Sequence, residues 1–337
     1  MILVTGGTGL VGSHLLFELT KADQNIRALY RRTESIEKVK TIFSYYSNNI
    51  DTQFKKIEWV QADLNDVPRL NAAFEDVSHV YHCAALISFA PKDFTRLNKT
   101  NTEGTANIVN LCIIHSIQKL CYVSSVATMG VDSHKITEET TWKSEDIQNV
   151  YAITKHNAEM EVWRGIQEGV PSVIVNPGVI LGAGFFNSGS GLLFKVIHKG
   201  LRYKTEGVTG YVGVNDVVKS MVLLMNSNHT NERYILVSDT LTFGDFTKTL
   251  SNALGVKPPK KTAKNWMLSM AWRLDWLAYI IIGKKRLLTR NMCRTLNSKN
   301  YYSSEKFLNA EKKFKFTPIS KTISEVSQIY LKEVRAS

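Results

Sequence analysis

Thr5-Gly6-Gly7-Thr8-Gly9-Leu10-Val11-Gly12 follows directly on the apolar run Ile2-Leu3-Val4, and the reading of this stretch governs the rest of the chain. Gly6 permits a tight turn. Gly9 lets the backbone approach a pyrophosphate with no Cβ in the way, and Gly12 allows close packing of a helix on a strand. Backbone amides from Thr8 to Leu10 and Val11, at the positive end of the helix that follows, then hold the anion. A glycine triad alone is weak evidence. Placed between a first strand and a first helix, it predicts a dinucleotide-binding loop.

The pattern outward from this loop agrees. Short β-branched runs at 2–5, 26–30, 57–61, 80–82, 120–124 and 172–176 alternate with helical spacing at 10–20, 36–46, 67–74, 102–115 and 152–168. Parallel strands need crossover helices, so this alternation predicts an α/β doubly wound parallel sheet over residues 1–176. After Asn176 the regularity breaks. A Gly-rich stretch from Gly178 to Gly191 leads to a helix at 192–199, a strand at 211–214, a helix at 217–225 with Asp216 as its N-cap, a strand at 234–237 and a helix at 243–254. Residues 177–337 are therefore expected to form a smaller, discontinuous substrate lobe, with 211–240 returning to the first domain.

The end of the second strand selects the dinucleotide, because a carboxylate there would bind the ribose 2′-hydroxyl and repel a 2′-phosphate. The chain reads Leu29-Tyr30-Arg31-Arg32. Two guanidiniums suit a phosphate, which predicts NADP(H) over NAD(H) and leaves open which arginine meets it.

Tyr151-Ala152-Ile153-Thr154-Lys155 puts Tyr151 and Lys155 at i and i+4, on one helix face. An ammonium near a phenol favours the phenolate, so Lys155 is expected to bring Tyr151 toward working pH and to reach the nicotinamide ribose as well. Upstream, Tyr122-Val123-Ser124-Ser125 ends a strand in hydroxyls at the carboxyl edge of the sheet, where such folds bind ligands. Ser125 is the chosen hydroxyl, with Ser124 the alternative.

TGGTGLVG, YVSSVATMG, YAITK and VNPGVILGAG, in order over about residues 1–240, resemble the extended short-chain dehydrogenase/reductase superfamily of nucleotide-sugar epimerases, dihydroflavonol reductases and 3β-hydroxysteroid dehydrogenases. The resemblance implies a catalytic Ser125, Tyr151 and Lys155. It also implies adenine contacts at Asp63 and Leu64, a segment His82-Cys83-Ala84-Ala85 passing under the cofactor, Pro177 beside the nicotinamide and a structural Asn at Asn101, with Asn98 close by. Met129 stands where sugar epimerases usually carry an aromatic residue, and Arg31-Arg32 departs from the acidic pattern of the NAD-binding epimerases. Both departures move the expectation toward an oxidoreductase acting on a carbonyl or secondary alcohol. A nucleotide-sugar epimerase with transient hydride transfer and a non-catalytic dinucleotide sensor remain as alternatives.

Net charge is +12, and residues 256–337 hold 18 Lys+Arg against 5 Asp+Glu. No aromatic-basic nucleic-acid motif accompanies the excess, so nucleic acid is not an expected partner. A second copy of the chain and a membrane surface stay open. Met1 opens straight into a strand and the four cysteines show no CxxC pairing, which predicts a cytoplasmic setting with free thiols. His14 and His115 read as packing or surface residues, and no spacing suggests a metal. The segment 265–282, with Trp266, Trp272 and Trp276, is too interrupted by Arg273 and Asp275 to cross a bilayer. It reads as a lid over an apolar, bulky substrate, as core packing, or as an interfacial helix.

Overall fold

A computed structural model of the chain describes residues 1–132, 134–143, 149–282, 293 and 296–336. The first half runs β1 (Ile2–Thr5), α1 (Leu10–Leu19), β2 (Ile26–Tyr30), α2 (Glu34–Ser44), α3 (Ile50–Phe54), β3 (Ile57–Gln61), α4 (Val67–Ala72), β4 (His79–His82), α5 (Phe94–Leu97), α6 (Gly104–Ile114), β5 (Lys119–Val123), α7 (Val150–Gln167) and β6 (Ser172–Pro177). Beyond it come β7 (Val179–Leu181), α8 (Leu192–His198), β8 (Tyr203–Lys204), β9 (Val208–Gly213), α9 (Val214–Asn226), β10 (Glu232–Leu236), β11 (Asp239–Thr242), α10 (Phe243–Ala253), β12 (Lys261–Thr262), α11 (Asn265–Ile282) and the helices Glu305–Ala310 and Ile319–Ala336.

Seven strands pair in the order β10-β6-β5-β4-β1-β2-β3, all parallel. Successive side chains of a strand face opposite ways, and the core divides accordingly. Val4, Ala28, Tyr81, Cys121 and Val173 pack with α1 and α9 on one face. Leu3, Leu29, Val80, Leu120 and Ile174 pack with α6 and α7 on the other. This is the doubly wound sheet expected from the alternation. β1 has β2 on one side and β4 on the other, so the strand order reverses beside β1. The crevice outside the carboxyl ends of β1 and β4 is where such a sheet accepts a ligand.

The remaining strands form a three-stranded sheet, β11-β9-β7, and a β12-β8 pair. Phe194, Tyr211, Phe246, Leu250 and Ile323 build a separate apolar cluster around the three-stranded sheet. Within 211–240, α9 and β10 pack on the large sheet while β9 lies in the small one.

Three expectations need correction. Asp216 does not cap a helix: α9 begins at Val214 after Gly213, and Asp216 sits inside its first turn. Its carboxylate accepts the Thr317 amide at 2.7 Å and the Thr317 hydroxyl at 3.0 Å, which ties the C-terminal segment to α9. The helix expected at 102–115 has as its α-helical part Gly104–Ile114, entered through a π-helical turn, Asn98–Glu103. Core packing of the 265–282 segment is also overturned, because α11 contains no buried residue.

Candidate active site

Gly6 has φ +66°, and a Cβ there would lie 2.6 Å from the Ala84 amide nitrogen. A Cβ on Gly12 would lie 2.2 Å from the Gly6 carbonyl oxygen, whereas Gly9 would meet only that oxygen, at 3.3 Å. The two outer glycines are thus held by backbone, and the middle one leaves room above the loop. The Gly9 amide donates to the Gly6 carbonyl at 2.9 Å, and α1 starts at Leu10 with no side-chain cap. An uncapped helix start beside a Cβ-free cradle fits a pyrophosphate.

Thr5 couples this loop to β4. Its hydroxyl bonds His82 Nδ1 at 2.6 Å and accepts the Ala84 amide at 3.3 Å. His82 is fully buried between Thr5 and Thr105 and stacks on the Tyr122 ring. Burial lowers its pKa to about 3, with Lys155 adding to the shift, so it stays neutral. Asn101 is buried, accepts the Leu86 amide at 2.7 Å, and donates to the Leu86 carbonyl at 3.0 Å and the Thr154 hydroxyl at 3.2 Å. It therefore fixes the Ala84-Ala85-Leu86 segment to α7, and the π-turn that carries it is a feature found often at functional sites.

Tyr151 lies in the first turn of α7, which Asn149 caps by accepting the Ala152 amide at 2.9 Å. The Ser125 hydroxyl lies close enough to Tyr151 to favour its phenolate, and the ring of Phe89 meets Tyr151 edge-on at 5.7 Å. Ser124 is turned away from this group: it is buried and donates to Glu159 at 2.5 Å. Burial pushes the Tyr151 phenol up to about 12, with the nearby Ser125 hydroxyl opposing. That differs from the expected shift toward neutrality. Lys155 is buried and donates to the Tyr122 hydroxyl at 2.6 Å and the Val123 carbonyl at 2.8 Å. Its ammonium serves the end of β5 instead of the phenol, and burial lowers its own pKa to about 7.

Glu159 is the residue the sequence reading missed. It is fully buried and accepts from Ser124, from Thr128 at 2.8 Å and from Asn176 at 2.8 Å, and it pairs with Arg233 at 3.0 Å. The loop carrying Ser125 is thereby pinned on both sides of it. The signal was available: Glu159 follows Tyr151 and Lys155 at the same i+4 step, on the buried face of α7.

At the other end of the crevice, exposed Arg31 and half-buried Asp63 approach within 3.8 Å, and Arg32 is exposed. The Asp63 carboxylate also accepts the Asn65 amide at 3.0 Å, and the Leu64 carbonyl accepts from Asn107 at 2.8 Å. Pro177 is buried at the end of β6 beside Leu236. A cleft of about 970 Å³ lined by Glu138, Trp142, His156, Arg233 and Lys306 among others includes none of these sequence-chosen residues. Cys83, Cys112, Cys121 and Cys293 are free, and no His/Cys/Asp/Glu group among the described residues could hold a metal.

The family model described as NAD dependent epimerase/dehydratase family matches residues 2–236. A putative dihydroflavonol 4-reductase of Synechocystis is 29% identical over 80% of this chain and 77% of its own. A 3 beta-hydroxysteroid dehydrogenase/Delta 5-->4-isomerase of Vaccinia virus (strain Ankara) is 27% identical over 94% of this chain and 93% of its own. The UDP-glucose 4-epimerase of Thermotoga maritima, solved with UDP-glucose, superposes with a TM-score of 0.75 at 17% identity over 99% of both chains, a likeness of fold alone.

Proposed function

Because the chain belongs to the NAD dependent epimerase/dehydratase family, we propose that it is an NADP(H)-dependent oxidoreductase that reduces a bulky, apolar carbonyl compound or, in reverse, oxidises a secondary alcohol. The observation that carries this reading is the placement of Tyr151 in the first turn of α7, one turn before Lys155 and facing Ser125 at the carboxyl edge of the sheet. Residues 1–176 are assigned the dinucleotide and 177–337 mainly the substrate.

Bound NADPH would supply a hydride to the carbonyl carbon. A phenol held near 12 keeps its proton at neutral pH, which is the state a general acid needs, and Tyr151 gives that proton to the carbonyl oxygen. Ser125 donates to the same oxygen and holds it beside the phenol. Lys155 is assigned the nicotinamide ribose. An ammonium has three donor hydrogens, and Tyr122 and Val123 take two of them among the described residues. Phe89 and Ile87, both exposed beside this mouth, offer apolar surface to the substrate. An epimerase would use the same hydride chemistry but return it, leaving no net change in NADPH.

Two expected results concern the cofactor. NADPH should bind more tightly than NADH in a fluorescence titration, and Arg31→Asp combined with Arg32→Ala should abolish or reverse the preference. Losing a charge-assisted phosphate pair costs about 1.5–3 kcal/mol, or roughly tenfold or more in Kd. Equal affinities in the unaltered protein would overturn the NADP(H) assignment. Gly12→Ala should weaken either dinucleotide by at least about tenfold, because its methyl cannot sit 2.2 Å from the Gly6 carbonyl unless the loop opens. Unchanged affinity would remove the loop from the site.

A further inference from the structure

We infer that α11 and the adjoining 87–94 segment form a docking face for an anionic lipid surface beside the mouth of the active site. Trp266, Met270, Leu274, Leu277 and Ile281 recur at helical spacing along one face of α11, and all are exposed; Trp266 is 61%, Leu274 59% and Ile281 70% accessible. The half-buried Leu268, Trp272 and Asp275 lie on the opposite face. The helix thus carries apolar residues on both sides and leaves one whole apolar side facing outward, unlike an ordinary surface helix. A contiguous apolar face of this extent marks an interaction surface.

Charge identifies the occupant. Residues 257–286 hold eight Lys+Arg against one Asp, and Lys257, Lys260, Lys261 and Lys264, which lead into the helix, are all exposed. The single acid, Asp275, is on the half-buried side. Arg273 lies on the exposed side, its guanidinium folded over the Trp272 ring at 4.7 Å. Exposed tryptophan and leucine flanked by cations, with no acid among them, match an acyl boundary beneath anionic headgroups. A second copy of this chain would bring like charges together. No helix among the described residues is long and apolar enough to cross a membrane, so the attachment is peripheral.

The helix is tied to the active-site mouth from its other, half-buried side by two ring contacts. Lys92 Nζ sits 5.1 Å over the Tyr279 ring of α11, and Phe89, three residues earlier, meets Tyr151 at 5.7 Å. Exposed Ile87, Phe89 and Phe94 add apolar surface on the segment that makes both contacts. An apolar substrate dissolved in a bilayer would therefore enter beside Tyr151 with little exposure to water.

Co-sedimentation of the full chain with vesicles tests this without reference to catalysis. Binding is expected to equal parts phosphatidylcholine and phosphatidylserine and to weaken with salt, and binding to phosphatidylcholine alone should be at least about tenfold weaker, given roughly fivefold per cation at the surface. Leu274→Ser with Leu277→Ser should release the protein from the mixed vesicles, whereas Ile114→Ser, at an exposed apolar site on α6, should not. Circular dichroism of each variant would establish that it is folded. Three results would overturn the proposal: equal sedimentation with both lipids, release by Ile114→Ser as well, or a wild-type dimer that the double serine variant splits without any vesicle binding.

Discussion

Tyr151→Phe is expected to lower turnover of a carbonyl substrate by about 10²–10⁴-fold, the usual worth of a positioned general acid, and to leave NADPH affinity nearly unchanged. The substitution removes one hydroxyl, which faces Ser125. The ring keeps its packing against Phe89, so little binding surface is lost. Turnover and KM measured together would show kcat falling at nearly constant KM, the signature of an interaction made only in the transition state. Ser125→Ala should cost less, because it removes the group that orients the oxygen and leaves the proton donor in place. Wild-type turnover by the phenylalanine variant on a verified substrate would exclude Tyr151 as the acid.

The largest effect on stability is expected at Glu159. Glu159→Ala should lower the unfolding free energy by about 3–5 kcal/mol, as for a buried ion pair stripped of one partner. Arg233 would lose its carboxylate, and Ser124, Thr128 and Asn176 would lose an acceptor inside the core. Glu159→Gln keeps one carbonyl oxygen as an acceptor but loses the charge, so it should fall between the two. Urea unfolding of the three proteins gives the order directly. Activity at a temperature where all three are folded is a second readout: the loop bearing Ser125 is tied through Ser124 and Thr128, so both variants should lose turnover beyond what stability explains. Matching unfolding midpoints for the alanine variant and the unaltered chain would show that Glu159 holds nothing together.

The parts legible in the sequence were those that a local pattern determines. Six strands lie within a residue of their expected bounds because buried parallel strands read as short apolar runs between turns. The glycine loop was legible because backbone crowding at Gly6 and Gly12 excludes other residues. Ser125 and Tyr151 meet because one ends at a strand edge and the other at a helix start. What escaped reading depends on distant partners. Glu159 looks like a solvated helix residue until Arg233, seventy-four positions later, is placed against it. Asp216 has the local look of a cap, and only the Thr317 contacts show where its carboxylate goes. The Tyr151 phenol was expected to feel Lys155 because spacing puts both on one face, but spacing cannot show that Tyr122 and Val123 claim the ammonium. The three-stranded sheet was missed for a similar reason: β7 and β11 are short, mostly half-buried strands whose pairing is set by β9.

Hydride transfer itself is tested most directly with NADPH deuterated at C4, incubated with the protein and a panel of aldehydes and ketones and followed by mass spectrometry of the products. The proposed reductase predicts one deuterium on the carbinol carbon, one NADP⁺ formed per alcohol and loss of both in Tyr151→Phe. Intact NADPH across a panel that includes bulky apolar carbonyls would contradict the account, as would an isomerised substrate formed with no net NADP⁺.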